Sequence, residues 1–340
     1  MTASPSPSLE ATNAGSVVTT PAPPPTPTPL LTATPLSAGA SADAPPCTPA
    51  PQLPCSPSTN DAAGATATTT PPPTFTPPPP PPPVEGEHLL LPRPVAAGGA
   101  TWTDKSYPYG STRGGTLRPH TGVEFGVPAG TPVLAVAPGA VVVAGDDSQI
   151  AYGPQTNFYG NLVIVEMSGL AGGSLYALYG HLSEIAVTAG QAVAVGDTLG
   201  LSGESGVADG PHLHFELRFG ENSYGATRNP LLWLKPLKGT GVVAGRVLGP
   251  DGGRLNEAPV ALLRVDGPAP YTATTSYAAG EPNPDDLLDE TFVLDDVEPG
   301  YYQAVVDSGR RRYSTELWVF PDRVNWVEIT LSPAAGSAAP

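Results

Sequence analysis

From Gly115 onward no stretch of this chain keeps a helical periodicity for ten residues, because a glycine or proline interrupts nearly every one. What lies between the interruptions is a series of short β-branched runs: VEFGV, TPVLAVA, AVVVAG, NLVIVEM, SLYALYGHL, QAVAVG and HLHFELRF. Runs of this length bounded by glycine read as strands of four to eight residues joined by tight turns. The chain is therefore expected to be mainly β, beginning with a compact antiparallel, barrel-sandwich-like domain. An internal echo points to a duplicated motif, since Ala129 to Val136 (AGTPVLAV) is answered sixty residues later by Ala189 to Val195 (AGQAVAV). The same glycine-turn-strand pattern occurs in biotin and lipoyl carriers, which need a lysine at a hairpin tip; none lies between Lys105 and Lys235.

After Trp233-Leu234-Lys235-Pro236 a second set of strand signals begins: GVVAGRVLG, APVALLRVD, TFVLDDV, YYQAVVD, ELWVF and VNWVEITL. Their order, with a Pro-Asp-Gly-Gly turn, an acidic loop and Glu298-Pro299-Gly300-Tyr301-Tyr302, resembles the carboxypeptidase regulatory-like or transthyretin-like β-sandwich over about residues 240 to 332. No catalytic constellation is legible there. The acidic segment from Glu281 to Asp296 reads as a solvated loop rather than a calcium site. At the other end, residues 1–83 hold 25 of the 46 prolines, no Lys or Arg, and only Glu10, Asp43 and Asp61 as acids. Such a segment has neither a packable apolar set nor charge, and is expected to be a disordered or polyproline II stalk. The expected organisation is a Pro/Thr/Ala-rich tail at 1–84, a first β domain at 100–236 and a small C-terminal β-sandwich at 240–333.

Net charge is −16, only three units of it from the tail, so nucleic acid is excluded as a partner. No run of about eighteen apolar residues exists to span a membrane. The first thirty residues show no signal peptide, although a Thr/Pro-rich stalk is typical of extracellular or wall-spanning spacers; the composition points to an export segment upstream of Met1. Cys47 and Cys55 both lie in the tail, either as a local disulfide or as two free thiols. Cysteine catalysis is thereby excluded from the folded part.

Four of the five histidines fall between residues 120 and 214, in an apolar, glycine-rich domain with little structural need for imidazole. His212 and His214 stand at i and i+2 in PHLHFEL, so on a strand both rings point to one face while Leu213 and Phe215 point to the other. His120, Gly122 and Glu124 share a face of HTGVEF in the same way, opposite Val123 and Phe125. Two imidazoles and one carboxylate are the minimum a catalytic zinc needs, with the fourth position left to water, and two further histidines remain for proton transfer. His88, at the tail boundary beside Glu85 and Glu87, is given no role. Other hydrolase signatures fail: no HExxH is present, and Gly203-Glu204-Ser205-Gly206-Val207 departs from GxSxG at its last residue. Gly200 to Gly210 reads instead as a flexible glycine loop feeding the HLH strand.

Taken together, His120-Thr121-Gly122-Val123-Glu124, Tyr179-Gly180-His181-Leu182-Ser183 and Gly210-Pro211-His212-Leu213-His214-Phe215-Glu216 resemble the lysostaphin-like or LytM-type zinc endopeptidases over roughly residues 105 to 235. The Gly190-Gln191 turn and the closing Asn229-Pro230 also match. The resemblance implies an antiparallel β domain with a narrow groove, one Zn2+ held by His120, Glu124 and His214, catalytic histidines at His181 and His212, and hydrolysis of peptidoglycan cross-links or stem peptides. The family's usual carboxylate ligand is Asp, one methylene shorter than Glu124; an inert domain that binds wall peptides or regulates another hydrolase is the alternative this departure raises. Tyr179 and Arg118 are further candidates near the site, although a tyrosine in a strand is more often a packing residue. Bacterial peptidoglycan peptides are the expected partner, the chain a monomer, and its location extracellular or at the cell wall.

Overall fold

The first set of runs forms a single sheet, and one strand in it changes partners halfway along, at the point where the candidate histidines gather. The computed structural model describes residues 75–96, 101–167, 173–268, 271–280 and 282–332. Most of the proline-rich tail, with Cys47 and Cys55, lies outside the described residues.

Nine strands make up the sheet: β1 (Val123–Phe125), β2 (Pro132–Leu134), β3 (Gly139–Asp146), β4 (Asn161–Met167), β5 (Leu175–Ile185), β6 (Ala192–Val193), β7 (Thr198–Ser202), β8 (Leu213–Phe219) and β9 (Thr227–Arg228). The main order is β1-β8-β5-β4-β3-β6, with β7 bridging β5 and β2, and β9 alongside β8. All of these pairings are antiparallel. β5 pairs with β8 from Leu175 to Gly180 and with β7 from Leu182 to Ile185. Between these two registers stands His181, whose φ of 61° is left-handed. Val123, Phe125, Val163, Val165, Tyr179, Leu213, Phe215 and Leu217 point inward from these strands and form the core. Tyr179 is thus a packing residue, its hydroxyl accepting from the amide of Val136 at 3.1 Å.

The internal echo is structural as well as sequential. Gly130 and Gly190 have φ values of 86° and 87°. The residue after each closes the same turn, Thr131 onto the carbonyl of Pro128 and Gln191 onto that of Thr188. Each glycine amide then donates to a neighbouring strand, Gly130 to Ser202 and Gly190 to Val141, both at 2.8 Å. β7 was not legible as a run because glycine breaks it. The flexible loop expected over Gly200 to Gly210 is also corrected: Thr198–Ser202 is strand, and Ser205 pins the backbone beyond it. The Ser205 hydroxyl donates to the carbonyl of Leu182 at 2.8 Å and accepts from the amide of Asn161 at 2.9 Å, so it has no role as a nucleophile.

The second set folds as two facing sheets. One has β13 (Phe292–Val297), β10 (Gly241–Leu248) and β16 (Val324–Thr330) in that order; the other has β12 (Thr272–Thr275), β11 (Pro259–Arg264), β14 (Gly300–Ser308) and β15 (Arg311–Val319). β10 and β16 run parallel. The core between the sheets includes Val243, Val247, Val260, Phe292, Ala304, Val306 and Ile329. β12 and the first half of β15 escaped the sequence reading because their residues are polar and mostly exposed or half-buried.

The two folds share apolar packing. Leu231 to Leu234, on and just after the 3-10 turn Pro230–Leu232, join Val242, Ala244, Leu288, Val293 and Val324 in the same cluster as the nine-stranded sheet. Part of the acidic segment lines this seam instead of being solvated: Asp285, Glu290 and Asp295 are buried, while Asp286 is exposed. Asp295, 2 % exposed, accepts from the hydroxyl of Thr103 at 2.9 Å and pairs with Arg93 at 3.2 Å. Asp296 pairs with the same guanidinium at 2.6 Å. His88, given no role by its sequence context, stacks on Trp233 at 3.8 Å and pairs with Asp285 at 3.0 Å. The described end of the tail, residues 75–84, has no strand or helix; Phe75 lies against Tyr301, and Arg323 donates to the carbonyl of Pro81.

Glu290 sits fully buried in the seam, accepting from the hydroxyl of Tyr277 at 2.7 Å and the amide of Asp285 at 2.9 Å. Burial pushes its carboxyl up to about 7, so folding favours the protonated form. The stability this gives is complete below the unfolded carboxyl's value near 4.5 and is lost as pH rises through about 7, a change on the order of 3 kcal/mol. Denaturant unfolding between pH 5 and 8 is expected to show this decline, and Glu290→Gln to flatten it whatever its effect on absolute stability.

Candidate metal centre and its cleft

β1 and β8 place Glu124 directly opposite His214, and His120 and His212, which precede those strands, come to the same side. Gly122 makes this approach possible: a Cβ there would lie 2.5 Å from the carbonyl of Phe215 and 2.9 Å from the His214 ring. The Glu124 carboxylate reaches the centre of the group. Its Oε1 lies 2.9 Å from both His120 Nε2 and His214 Nδ1, and its Oε2 lies 3.1 Å from His212 Nε2. His181 enters from the bulge in β5, its ring centroid 4.7 Å from that of His212 and 5.6 Å from that of His214. A left-handed non-glycine residue costs roughly 1–3 kcal/mol, and the bulge turns a side chain that would follow the pleat into the cleft instead. All five sequence candidates therefore meet in one place.

Each imidazole has one nitrogen fixed by a second group. His120 Nδ1 donates to the carbonyl of Tyr107 at 2.6 Å, and the Tyr107 ring stacks on it at 4.2 Å. His181 Nδ1 donates to the carbonyl of Ser205 and His212 Nδ1 to that of Gly210, both at 2.8 Å. His214 Nε2 faces Glu216 Oε1 at 3.1 Å. Glu216 also accepts from Thr121 at 2.7 Å and Tyr159 at 2.6 Å, and its other oxygen pairs with Arg218 at 2.8 Å. Both Glu216 and Arg218 are 0 % exposed.

The charges follow from this crowding. For Glu124 burial works to raise the carboxyl, but the imidazoles of His214, His120 and His212 outweigh it and hold the group well below its ordinary value. His214 is raised to about 10 in spite of burial, through Glu124 and then Glu216. His181 is lowered to about 4, chiefly by burial. Burial also opposes charge on His212, yet Glu124 lifts it above the usual histidine range. Glu216 is pulled down to about 2, burial being overcome by Arg218 and His214.

His120, Glu124 and His214 offer ligand atoms within 4.8 Å of one another. Two observations fit a cation there. The buried Glu124 Oε2 has no hydrogen-bond partner, His212 being close but misdirected. The nitrogens facing Glu124 are also the ones left over when Tyr107 and Glu216 take His120 Nδ1 and His214 Nε2, the outer arrangement that metal-bound imidazoles adopt. Two imidazoles and a carboxylate with an open fourth position suit a catalytic zinc. The longer Glu124 does not break the group, since it reaches both rings at 2.9 Å.

The site opens into a cleft of about 720 Å³ whose walls include Tyr107, Leu117, Arg118, Phe158, Val207 and Tyr224. Arg118 thus borders the cleft, while its carbonyl accepts from the Tyr107 hydroxyl. The sequence reading passed over Glu216 and Arg218, although their signal was present: His212, His214, Glu216 and Arg218 alternate with Leu213, Phe215 and Leu217, a polar face on a strand too buried to be solvated.

Residues 118–226 match peptidase family M23. The chain is similar to an uncharacterized metalloprotease of Haemophilus influenzae, 37% identical over 130 residues that make up 38% of this chain and 24% of the relative. It is also similar to the peptidoglycan DD-endopeptidase ShyA of Vibrio cholerae, 38% identical over 101 residues, or 30% of this chain and 20% of that one. The glycyl-glycine endopeptidase ALE-1 of Staphylococcus capitis is 33% identical over 145 residues, 40% of this chain and 36% of the relative. The matched region thus spans well under half the length of each of these relatives.

Removing one partner of a buried ion pair leaves an uncompensated charge, at a cost of about 3–5 kcal/mol. Glu216→Gln is expected to lose that much in denaturant unfolding. Because the two groups are in contact, the double variant Glu216→Gln/Arg218→Met should be more stable than the sum of the single changes.

Proposed function

Residues 118–226 form a peptidase family M23 domain, and from that premise we propose that the protein is a zinc-dependent endopeptidase that cuts the peptide cross-links or stem peptides of bacterial peptidoglycan. The observation that carries this reading is the convergence of His120, Glu124 and His214, whose ligand atoms lie within 4.8 Å of one another, with two more imidazoles beside them in one cleft. His120, Glu124 and His214 are the ligands in this reading. When bound, zinc supplies Lewis acidity, polarising a carbonyl and bringing a water's pKa to about 7.

The protein's own residues do the rest. His181 and His212 are the proton-handling pair: with Nδ1 held by a carbonyl, each presents Nε2 to the cleft. A neutral ring accepts the proton of the attacking water and returns it to the departing amine, while a protonated neighbour donates to the carbonyl oxygen as charge develops there. Either ring can fill either role, since both stand beside the ligands with Nδ1 held by a carbonyl. Tyr107, Leu117 and Phe158 give the cleft an apolar wall for an extended peptide, and Arg118 adds a cation at its edge. The inert-binder alternative rests on the longer carboxylate; the position of Glu124 Oε1, 2.9 Å from both ligand rings, supports the active reading instead. The matched relatives that carry wall-hydrolase names support peptidoglycan as substrate, and with it a location on the wall side of the membrane. Among the described residues no helix is long and apolar enough to cross a membrane.

Purified protein is expected to contain one zinc per chain and to hydrolyse wall peptides, with loss of activity on chelation and recovery on zinc addition. His181→Ala and His212→Ala should each lower kcat by about 10²–10⁴-fold while keeping zinc. His214→Ala should lose the metal and the activity together. Metal-free, inactive wild-type protein would defeat the proposal.

A further inference from the structure

The three candidate ligands are held by two different parts of the fold. Glu124 and His214 are cross-strand partners inside the nine-stranded sheet. His120 lies ahead of β1, and its backbone is fixed elsewhere: Gly110 N–H donates to its carbonyl at 2.8 Å, and its own N–H donates to the carbonyl of Ser111 at 3.0 Å. The same segment supplies Tyr107, which holds His120 Nδ1 and stacks on its ring. The imidazole of His120 is therefore only as well placed as residues 107–112.

The sandwich fastens that segment from the other side. Ala278 N–H donates to the carbonyl of Gly110 at 2.8 Å. The ring of Tyr277 lies directly on Gly110, whose φ is +80°; a Cβ at that position would be 2.5 Å from the ring. The amide of Thr112 donates to Glu257 Oε1 at 3.1 Å. Tyr109, 1 % exposed, shares its hydroxyl with the backbone of Asn283, donating to the carbonyl and accepting from the amide at 3.1 Å each, and packs edge-on against Tyr277. Tyr277 is itself held by Asn229 at 2.9 Å and Glu290 at 2.7 Å. None of these contacts involves a residue of the sandwich strands; they come from the loops before β11 and between β12 and β13, and they converge on one short stretch of backbone.

We propose that the C-terminal sandwich is a structural part of the metal centre, with Tyr277 and Ala278 as positioning residues that set His120 through Gly110. The inference rests on the zinc-peptidase reading and goes beyond it: the second fold is not an exchangeable appendage but the outer support of one ligand. The sheet alone fixes two of the three donors, and a ligand whose outer support is disturbed typically loses 10- to 100-fold in metal affinity.

The test uses the full-length protein and measures zinc affinity by competition with a chromogenic chelator, together with the absorption spectrum of the cobalt-substituted form. Gly110→Ala, which drives a methyl into the Tyr277 ring, and Ala278→Pro, which deletes the donor to Gly110, are expected to weaken zinc binding about tenfold or more and to alter the cobalt bands. Val306→Ala, a fully buried change in the sandwich core away from the seam, should lower the unfolding temperature yet bind zinc like the wild type. Should both seam variants fail to fold, Glu257→Ala removes the acceptor of the Thr112 amide and hydroxyl and is expected to weaken binding several-fold. Seam variants that bind zinc within twofold of wild type, or a Val306→Ala loss as large as theirs, would overturn the inference. Wild-type protein that takes up no zinc would instead remove the zinc-peptidase reading on which it rests.

Discussion

The antiparallel register of β1 against β8 is the constraint on which the site depends. It sets Glu124 across from His214, so the carboxylate and the imidazole approach without any loop having to find its place. A shift of one residue would turn one of the two strands over, sending either Glu124 or His214 into the core and bringing that strand's apolar residues to the cleft. The burial of Val123, Phe125, Leu213 and Phe215 on the opposite face makes that shift prohibitive. Hydrophobic packing thus enforces the position of polar groups it never touches.

Behind the cleft, polarity is satisfied completely. Glu216 receives four different side chains, and Arg218 donates in turn to Glu216, to the carbonyl of Tyr152 and to Asn222. In a low-dielectric interior such a network is costly if any member is missing and rigid if none is. It gives His214 a fixed ring orientation, which a ligand held by packing alone would lack.

Much of this was legible in the sequence because period-two alternation carries directly into space. HTGVE and HLHFE each announce their polar face, and the structure brings those faces together. His181 was legible from its clustering with the other histidines and from the family pattern, but its direction was not, since that depends on a bulge that no alternation reveals. Glu216 and Arg218 received no role from the sequence, which does not show that the strand carrying them is buried on both sides. The acidic segment after Glu281 misled for the opposite reason. Asp295, Asp296 and Glu290 have partners 100 or more residues away or in the turn beside them, and composition cannot show a pairing between distant parts of the chain. The seam between the two folds was invisible for the same cause.

The left-handed backbone at His181 has a consequence for how such a chain can drift. Glycine or asparagine would sit at φ 61° with less strain than histidine does, so relaxation of the backbone and retention of the imidazole pull in opposite directions at this one position. A lineage freed from the need to cut would gain stability by giving the histidine up. If the proposed activity holds, the work of the imidazole is what retains this strained backbone, and loss of the histidine would be among the first signs of disuse.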